Sequence, residues 1–213
     1  MSSAQSIITI VDYGIGNRGS IVNMLKRIGA PCRVSGDPQE VASAEALIVP
    51  GVGAFDAGMA NLNERGLTEA IRSAAIERRT PVLGICLGMQ LLAEGSEEGV
   101  LPGLSLVRGH AKRFQQPAQD TPIKIPHMSW AQLEIVRPNR LFDDGEQRFY
   151  FVHSYHVACD DARDVIGLAD HGGRFVAAFE QGNVLGVQFH PEKSHRYGMG
   201  LLKNFAERVC VPA

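Results

Sequence analysis

The sequence predicts an α/β fold: a doubly wound, mostly parallel open sheet flanked by helices, with antiparallel strands added in the second half. Three observations carry this. Over the first hundred residues, short β-branched runs alternate with segments whose apolar residues recur at helical spacing, the pattern of strand–helix–strand units. Those apolar runs are continuous, as expected of strands covered on both faces. Beyond Leu104 the helical stripes give way to strand-like segments separated by D-D-G-E, D-H-G-G and E-Q-G-N, the turns of antiparallel ribbons. The chain has 213 residues, 45% hydrophobic and 21% charged, enough for one substantial core. Without a linker, repeat or low-complexity run, residues 1–213 read as a single domain.

In chain order, Ser6–Val11 reads as a buried first strand, ending in the glycine-rich turn D-Y-G-I-G-N. Ser20–Ile28 then carries Ile21, Met24, Leu25 and Ile28 on one helical stripe. Gly14, Gly16 and Gly19 satisfy G-x-G-x-x-G, but the second strand (Cys32–Ser35) lacks a clear acidic residue at its end, so a plain strand–helix turn is the better reading than a dinucleotide loop. Pro38–Ala44 is a short helix and Ala46–Val49 a third strand. It runs into Pro50-Gly51-Val52-Gly53, a loop at a strand's carboxyl end, where open α/β sheets hold ligands. Taken alone it reads as a simple turn. Helices are expected near Phe55–Leu62 and Leu67–Arg78. In the second half, strands are expected at Leu104–Val107, Gln132–Val136, Arg148–Ala158, Asp164–Ala169, Arg174–Glu180 and Val184–Phe189. A closing helix spans about Gly198–Val209.

The stretch Pro81–Leu92 organises the rest. Val82, Leu83 and Ile85 suit a buried strand, and Leu87 to Ala93 a helix. Between them stands Cys86, flanked by Gly84 and Gly88. A side chain at the apex of a tight strand-to-helix turn needs small neighbours. At a helix N-terminus the dipole and free N–H groups favour an anionic sulfur. The competing reading is a small core filler; the two glycines favour a nucleophile. A nucleophilic cysteine needs a base, and the base an orienting carboxylate. The last strand runs into His190-Pro191-Glu192-Lys193-Ser194. If that segment is extended, His190 and Glu192 point to one side. His153 and His156, in V-H-S-Y-H, are the rivals as base, but neither has a carboxylate at comparable spacing.

Composition excludes several classes. A formal net charge of −2 gives no electrostatic case for nucleic acid or a membrane surface. Apolar runs are too short to span a bilayer, and M-S-S-A-Q-S shows no signal-peptide pattern. The four cysteines, Cys32, Cys86, Cys159 and Cys210, form no C-x-x-C pair, and no H-x-x-x-H pair is present. Neither a metal nor another cofactor is expected, and a reducing cytoplasm suits the chain.

G-I-C-L-G-M-Q-L-L together with G-V-Q-F-H-P-E-K-S resembles the class I, triad-type glutamine amidotransferases. V-D-Y-G-I-G-N, V-P-G-V-G-A-F, I-P-H-M-S-W, F-Y-F-V-H-S-Y-H and L-L-K-N-F, in that order over nearly the whole chain, are similar to the glutaminase subunits of imidazole glycerol phosphate synthases. The resemblance implies that Cys86 attacks the carboxamide of glutamine to form a thioester, and that His190, oriented by Glu192, handles the protons. It implies an oxyanion and glutamine site at Gly51, Val52, Gly53, Leu87, Gln90, Ser154 and Tyr155. It also implies a separate (β/α)8-barrel cyclase subunit that receives the ammonia for histidine biosynthesis, met through Pro126, His127, Met128, Trp130 and Lys193. The family pattern P-H-M-G-W-N is altered here: Ser129 replaces the glycine and Ala131 the asparagine. The substitutions leave open a paralogue that serves another synthase, such as one amidating a surface-polysaccharide sugar. A stand-alone γ-glutamyl hydrolase and a non-enzymatic module on the same fold are the other readings. The second is disfavoured by the complete triad.

Overall fold

The structure, a computed structural model, describes residues 5–117 and 122–210. The M-S-S-A start of the leader reading lies outside them. The first half alternates as expected: β1 (Ile8–Val11), α1 (Arg18–Arg27), β2 (Cys32–Ser35), α2 (Pro38–Ala42), β3 (Ala46–Gly51), α3 (Phe55–Glu64), α4 (Leu67–Ile76), β4 (Val82–Cys86) and the short α5 (Leu87–Leu91). Local chemistry sets several boundaries. Asn17 caps α1 by accepting the Ser20 amide, and Lys26 and Arg27 sit at its negative end. Asp37 caps α2 through the amides of Gln39 and Glu40, with Pro38 in the first turn.

The second half holds β5 (Gly95–Ser96), β6 (Gly109–Arg113), β7 (His127–Ile135), β8 (Gln147–His153), β9 (Tyr155–Cys159), β10 (Val165–Asp170), β11 (Arg174–Gln181) and β12 (Val184–Val187), then α6 (His195–Asn204). Among the described residues, nine strands form one sheet in the order β2-β1-β3-β4-β12-β11-β10-β7-β8, and β5-β6-β9 form a second. Pairing is parallel from β2 to β12 and antiparallel from there to β8. The last strand in sequence therefore lies in the middle of the sheet, beside β4, with Ile85 opposite Val187.

Alternate side chains of the parallel strands feed two layers, each closed by helices. Ile8, Ile10, Ile48, Leu83, Ile85 and Leu185 face α1 and α6, which contribute Ile21, Leu25, Leu201 and Leu202. Val11, Leu47, Val49 and Val82 face α2 to α5, which bring Val41, Phe55, Leu62, Ile71 and Leu91. Most of these side chains are fully buried, worth about 1.5–3 kcal/mol each relative to exposure.

Four expectations change. Leu104–Val107 is not a strand; its amides cap the end of α5, with Leu104 N donating to Leu91 O and Leu106 N to Leu92 O. The strand there is β6, one segment later. Arg148–Ala158 is two strands, β8 and β9, which break at Ser154 and enter different sheets. The strand expected over Gln132–Val136 begins earlier, at His127, and takes in the M-S-W stretch as part of β7. Ser129 sits in that strand and is not among the residues with a positive φ, so its backbone does not call for glycine. Finally, Pro191–Lys193 forms a 3-10 turn rather than extended chain, and α6 begins at His195 and ends in a wider π turn, Phe205–Val209.

Glycine is required where α5 leaves the sheet. A Cβ on Gly88 would stand 1.8 Å from the Val49 carbonyl oxygen, and one on Gly84 2.7 Å from the Gly88 oxygen. Both obstacles are backbone, which cannot swing away. Gly88→Ala is expected to cost roughly 3 kcal/mol or more, read by denaturant titration; a wild-type midpoint would contradict the packing described.

Candidate active site

Cys86 ends β4 and starts α5 with φ 56° and ψ −113°. This left-handed geometry costs a residue with a Cβ about 1–3 kcal/mol and lifts its side chain out of the sheet. The neighbouring loop is held just as closely. Gly51 pairs with Cys86 at the end of β3, and a Cβ there would meet Gly88 N and Tyr13 Oη, each at 2.7 Å. The fully buried Tyr13 hydroxyl donates to Pro50 O at 2.5 Å. Burial and the neighbouring Cys86 raise its pKa, which keeps it a donor. In the D-Y-G-I-G-N turn, Gly14 and Gly16 take a positive φ, whereas among the described residues nothing lies within 4 Å of where a Cβ on Gly19 would stand. That is the spacing of a turn packed on Pro50, not of a phosphate loop.

The Cys86 side chain opens into a cavity of about 280 Å³. Val52, Gly53, Leu87, Gln90, Ser154, Tyr155 and His190, all anticipated from sequence, line it, as does Pro126. So do Glu98, Val152 and His153. Gly51 supports the wall from behind without lining it.

His190 follows β12, which lies directly against β4, so the chain delivers it to the same cavity as Cys86. Its Nδ1 meets Glu192 Oε1 at 2.8 Å, and both side chains are almost wholly buried. Nε2 has no hydrogen-bond partner among the described residues. Burial opposes a charge on this ring, but the Cys86 sulfur and the Glu192 carboxylate outweigh it and push the imidazole up to about 9. Ser194 locks the turn: its hydroxyl donates to His190 O at 2.6 Å and accepts the Tyr150 amide at 3.0 Å.

The residues anticipated for a partner face divide. Met128 and Trp130 are exposed at 61% and 37%, Pro126 and Lys193 are also exposed, and Trp130 stacks flat on His195. His127 is buried, its ring turned into the domain against Phe151 and His171. The rival histidine His153 donates from Nδ1 to the Tyr155 carbonyl at 2.8 Å, and His156 lies against Phe114. Among the described residues neither hydrogen-bonds to a carboxylate.

Sequence reasoning missed Tyr13, Glu98 and Gln188. Gln188 is fully buried, with Nε2 3.9 Å from Cys86 Sγ and Oε1 accepting from Gln90 at 3.1 Å. Its signal was present: a lone polar residue in an apolar strand, two before His190. Glu98 accepts the Phe55 amide at 2.8 Å and sits in a polar loop that carries no such signal. The loop is pinned by Asp56, which accepts the amides of Val100 and Leu101. Among the described residues no three His, Cys, Asp or Glu side chains converge as a metal set, and no helix is long and apolar enough to cross a membrane.

Comparison with known proteins identifies the family. The family model described as glutamine amidotransferase class-I matches residues 9–209. The imidazole glycerol phosphate synthase subunit HisH of Moorella thermoacetica is 49% identical over 205 residues, covering 95% of each chain. The subunit HisH 2 of Methanococcus maripaludis is 44% identical over 205 residues, 95% of this chain and all of that one. Among solved structures, a glutamine amidotransferase from Thermotoga maritima superposes with a TM-score of 0.71 over 99% of this chain and 100% of that one, at 14% identity, which supports the fold. The chain belongs to the class I glutamine amidotransferases and, within them, to the HisH subunits of imidazole glycerol phosphate synthase.

Proposed function

We propose that this chain hydrolyses glutamine to glutamate and ammonia through a thioester on Cys86, and passes the ammonia to a separate (β/α)8-barrel cyclase subunit that makes imidazole glycerol phosphate. The observation that carries the chemistry is His190: one ring nitrogen is held by Glu192, while the other is buried, has no partner among the described residues, and belongs to a ring that lines the same cavity as Cys86. That is the arrangement of a base that takes a proton from a nucleophile and returns it to a leaving group.

Cys86 Sγ attacks the carboxamide carbon of glutamine. The negative oxygen that develops is met by backbone amides of the Val52–Gly53 loop and of Leu87, at the N-terminus of α5. His190 Nε2 delivers its proton to the amide nitrogen, the C–N bond breaks and ammonia leaves. Water then attacks the thioester carbon, losing a proton to His190, and glutamate departs with the sulfur restored. Glu192 keeps Nδ1 protonated and the ring aimed throughout. Gln90 and the Ser154–Tyr155 segment hold the substrate. Glu98, the carboxylate on the cavity wall, matches its α-ammonium.

Met128, Trp130 and Lys193, exposed beside the Pro126 rim of the cavity, suit the docking face of the cyclase in a heterodimer. The free thiols Cys32, Cys86, Cys159 and Cys210 suit a reducing cytoplasm. In the complex, Cys86→Ala should abolish glutamine hydrolysis yet leave cyclase turnover with added ammonia unchanged. Retained glutaminase activity would overturn the assignment. If the assembled pair hydrolyses glutamine but makes no imidazole glycerol phosphate, the acceptor is another precursor. Glu192→Gln should lower kcat by roughly 10²–10⁴-fold.

The pH dependence follows from His190, whose folded value is raised to about 9 from an ordinary 6.5. A raised imidazole stabilises the fold fully below the ordinary value, and that contribution fades as pH rises through about 9. The protonated ring needed to expel ammonia is lost over the same interval. Glutaminase kcat/KM should therefore hold across neutral pH and fall near 9, with Glu192→Gln moving the fall to lower pH. A fall near 6.5 in the wild type would contradict it.

A further inference from the structure

One continuous line of hydrogen bonds runs from the outer face to the nucleophile. Ser129 Oγ, exposed on β7, lies 2.8 Å from His127 Nε2. His127 Nδ1 lies 3.3 Å from His153 Nε2, and His153 Nδ1 lies 2.8 Å from the Tyr155 carbonyl oxygen. Gln90 Nε2 reaches the same carbonyl at 3.0 Å and Gln188 Oε1 at 3.1 Å, and Gln188 Nε2 ends the line 3.9 Å from Cys86 Sγ.

The Tyr155 carbonyl and the neutral rings set the direction of the bonds. A carbonyl oxygen only accepts, so His153 must carry its proton on Nδ1. Burial, the main cause, lowers His153 to about 3 and His127 to about 4, so each ring holds a single proton at neutral pH. His153 Nε2 is then an acceptor, His127 donates to it from Nδ1, and His127 Nε2 must accept from the Ser129 hydroxyl. At the other end, Gln90 turns its amide N–H groups to Tyr155 and Gln188. The oxygen of Gln188 is thereby engaged, and its N–H faces the sulfur. Stacking on Phe151 and His171, at 5.0 and 4.2 Å between centroids, holds the His127 ring in plane.

We propose that Ser129, His127 and His153 are positioning residues for glutamine hydrolysis, which fix the Tyr155 carbonyl and through it hold Gln90 on the cavity wall and aim the Gln188 amide at the Cys86 sulfur. Because Ser129 is the exposed end, a docked subunit that engages its hydroxyl reaches this line directly. The proposal rests on the glutaminase reading for its kinetic consequence, but its geometry does not.

The test has two parts. In the 15N-labelled full chain, long-range imidazole spectra should show His127 and His153 both neutral with the proton on Nδ1; either ring with its proton on Nε2 overturns the proposal. In the assembled complex, Ser129→Ala should raise the KM for glutamine about fivefold, the worth of one neutral hydrogen bond, at an unchanged melting temperature. Ser129→Thr, which keeps the hydroxyl, should restore it. A wild-type KM in Ser129→Ala, or no rescue by threonine, overturns it. A wild-type complex without glutaminase activity would instead refute the catalytic reading, while the spectra would still decide the line.

Discussion

The structure depends on one strained residue. Cys86 is held at a positive φ that its own Cβ disfavours, and the surrounding chain is built to tolerate it. Gly84 and Gly88 let the first turn of α5 press onto the backbone of β3, and Gly51 lets that strand close against it. Tyr13, from the first strand's turn, clamps Pro50 on the far side. The strain is balanced by packing on both layers of the sheet. What it provides is a sulfur at the carboxyl end of a central strand, at the start of a helix and open to a cavity.

The second constraint is topological. A strand from the end of the chain is inserted at the centre of the sheet, parallel to β4, and the antiparallel half is hung from its other edge. This brings His190 to the sulfur although the two are far apart in sequence. The 3-10 turn that follows swings Glu192 back under the imidazole. The remaining cavity wall comes from the other end of the sheet, where β8 breaks at Ser154 and crosses to the small sheet. The break sets Val152, His153 and Tyr155 against the site. Cys86, His190 and the far wall of the cavity thus come from three places in the chain, and the sheet brings them together.

That division explains what could be read in advance. The parallel half was legible because its strands are covered on both faces and bounded by helical stripes. The glycine-flanked cysteine and H-P-E were legible because their chemistry demands particular neighbours. The small sheet was not: Gly95–Ser96 has two residues, and Gly109–Arg113 is too polar to show a period. The start of β7 was hidden because Met128, Ser129 and Trp130 are all exposed, so no alternation marks it. The break at Ser154 lies inside a pattern that continues unaltered on either side. Glu192 was placed correctly beside His190 by the wrong local geometry, since a 3-10 turn brings it there where an extended segment was assumed.

The central claim is that Cys86 is the atom that takes the acyl group. Rapid-quench peptide mass spectrometry of the cyclase-bound chain turning over glutamine tests it most directly. The account predicts a glutamyl adduct on the peptide bearing Cys86, formed within the first turnover and cleaved by hydroxylamine. Steady turnover with that peptide unmodified, or an adduct on Cys32, Cys159 or Cys210, would contradict it.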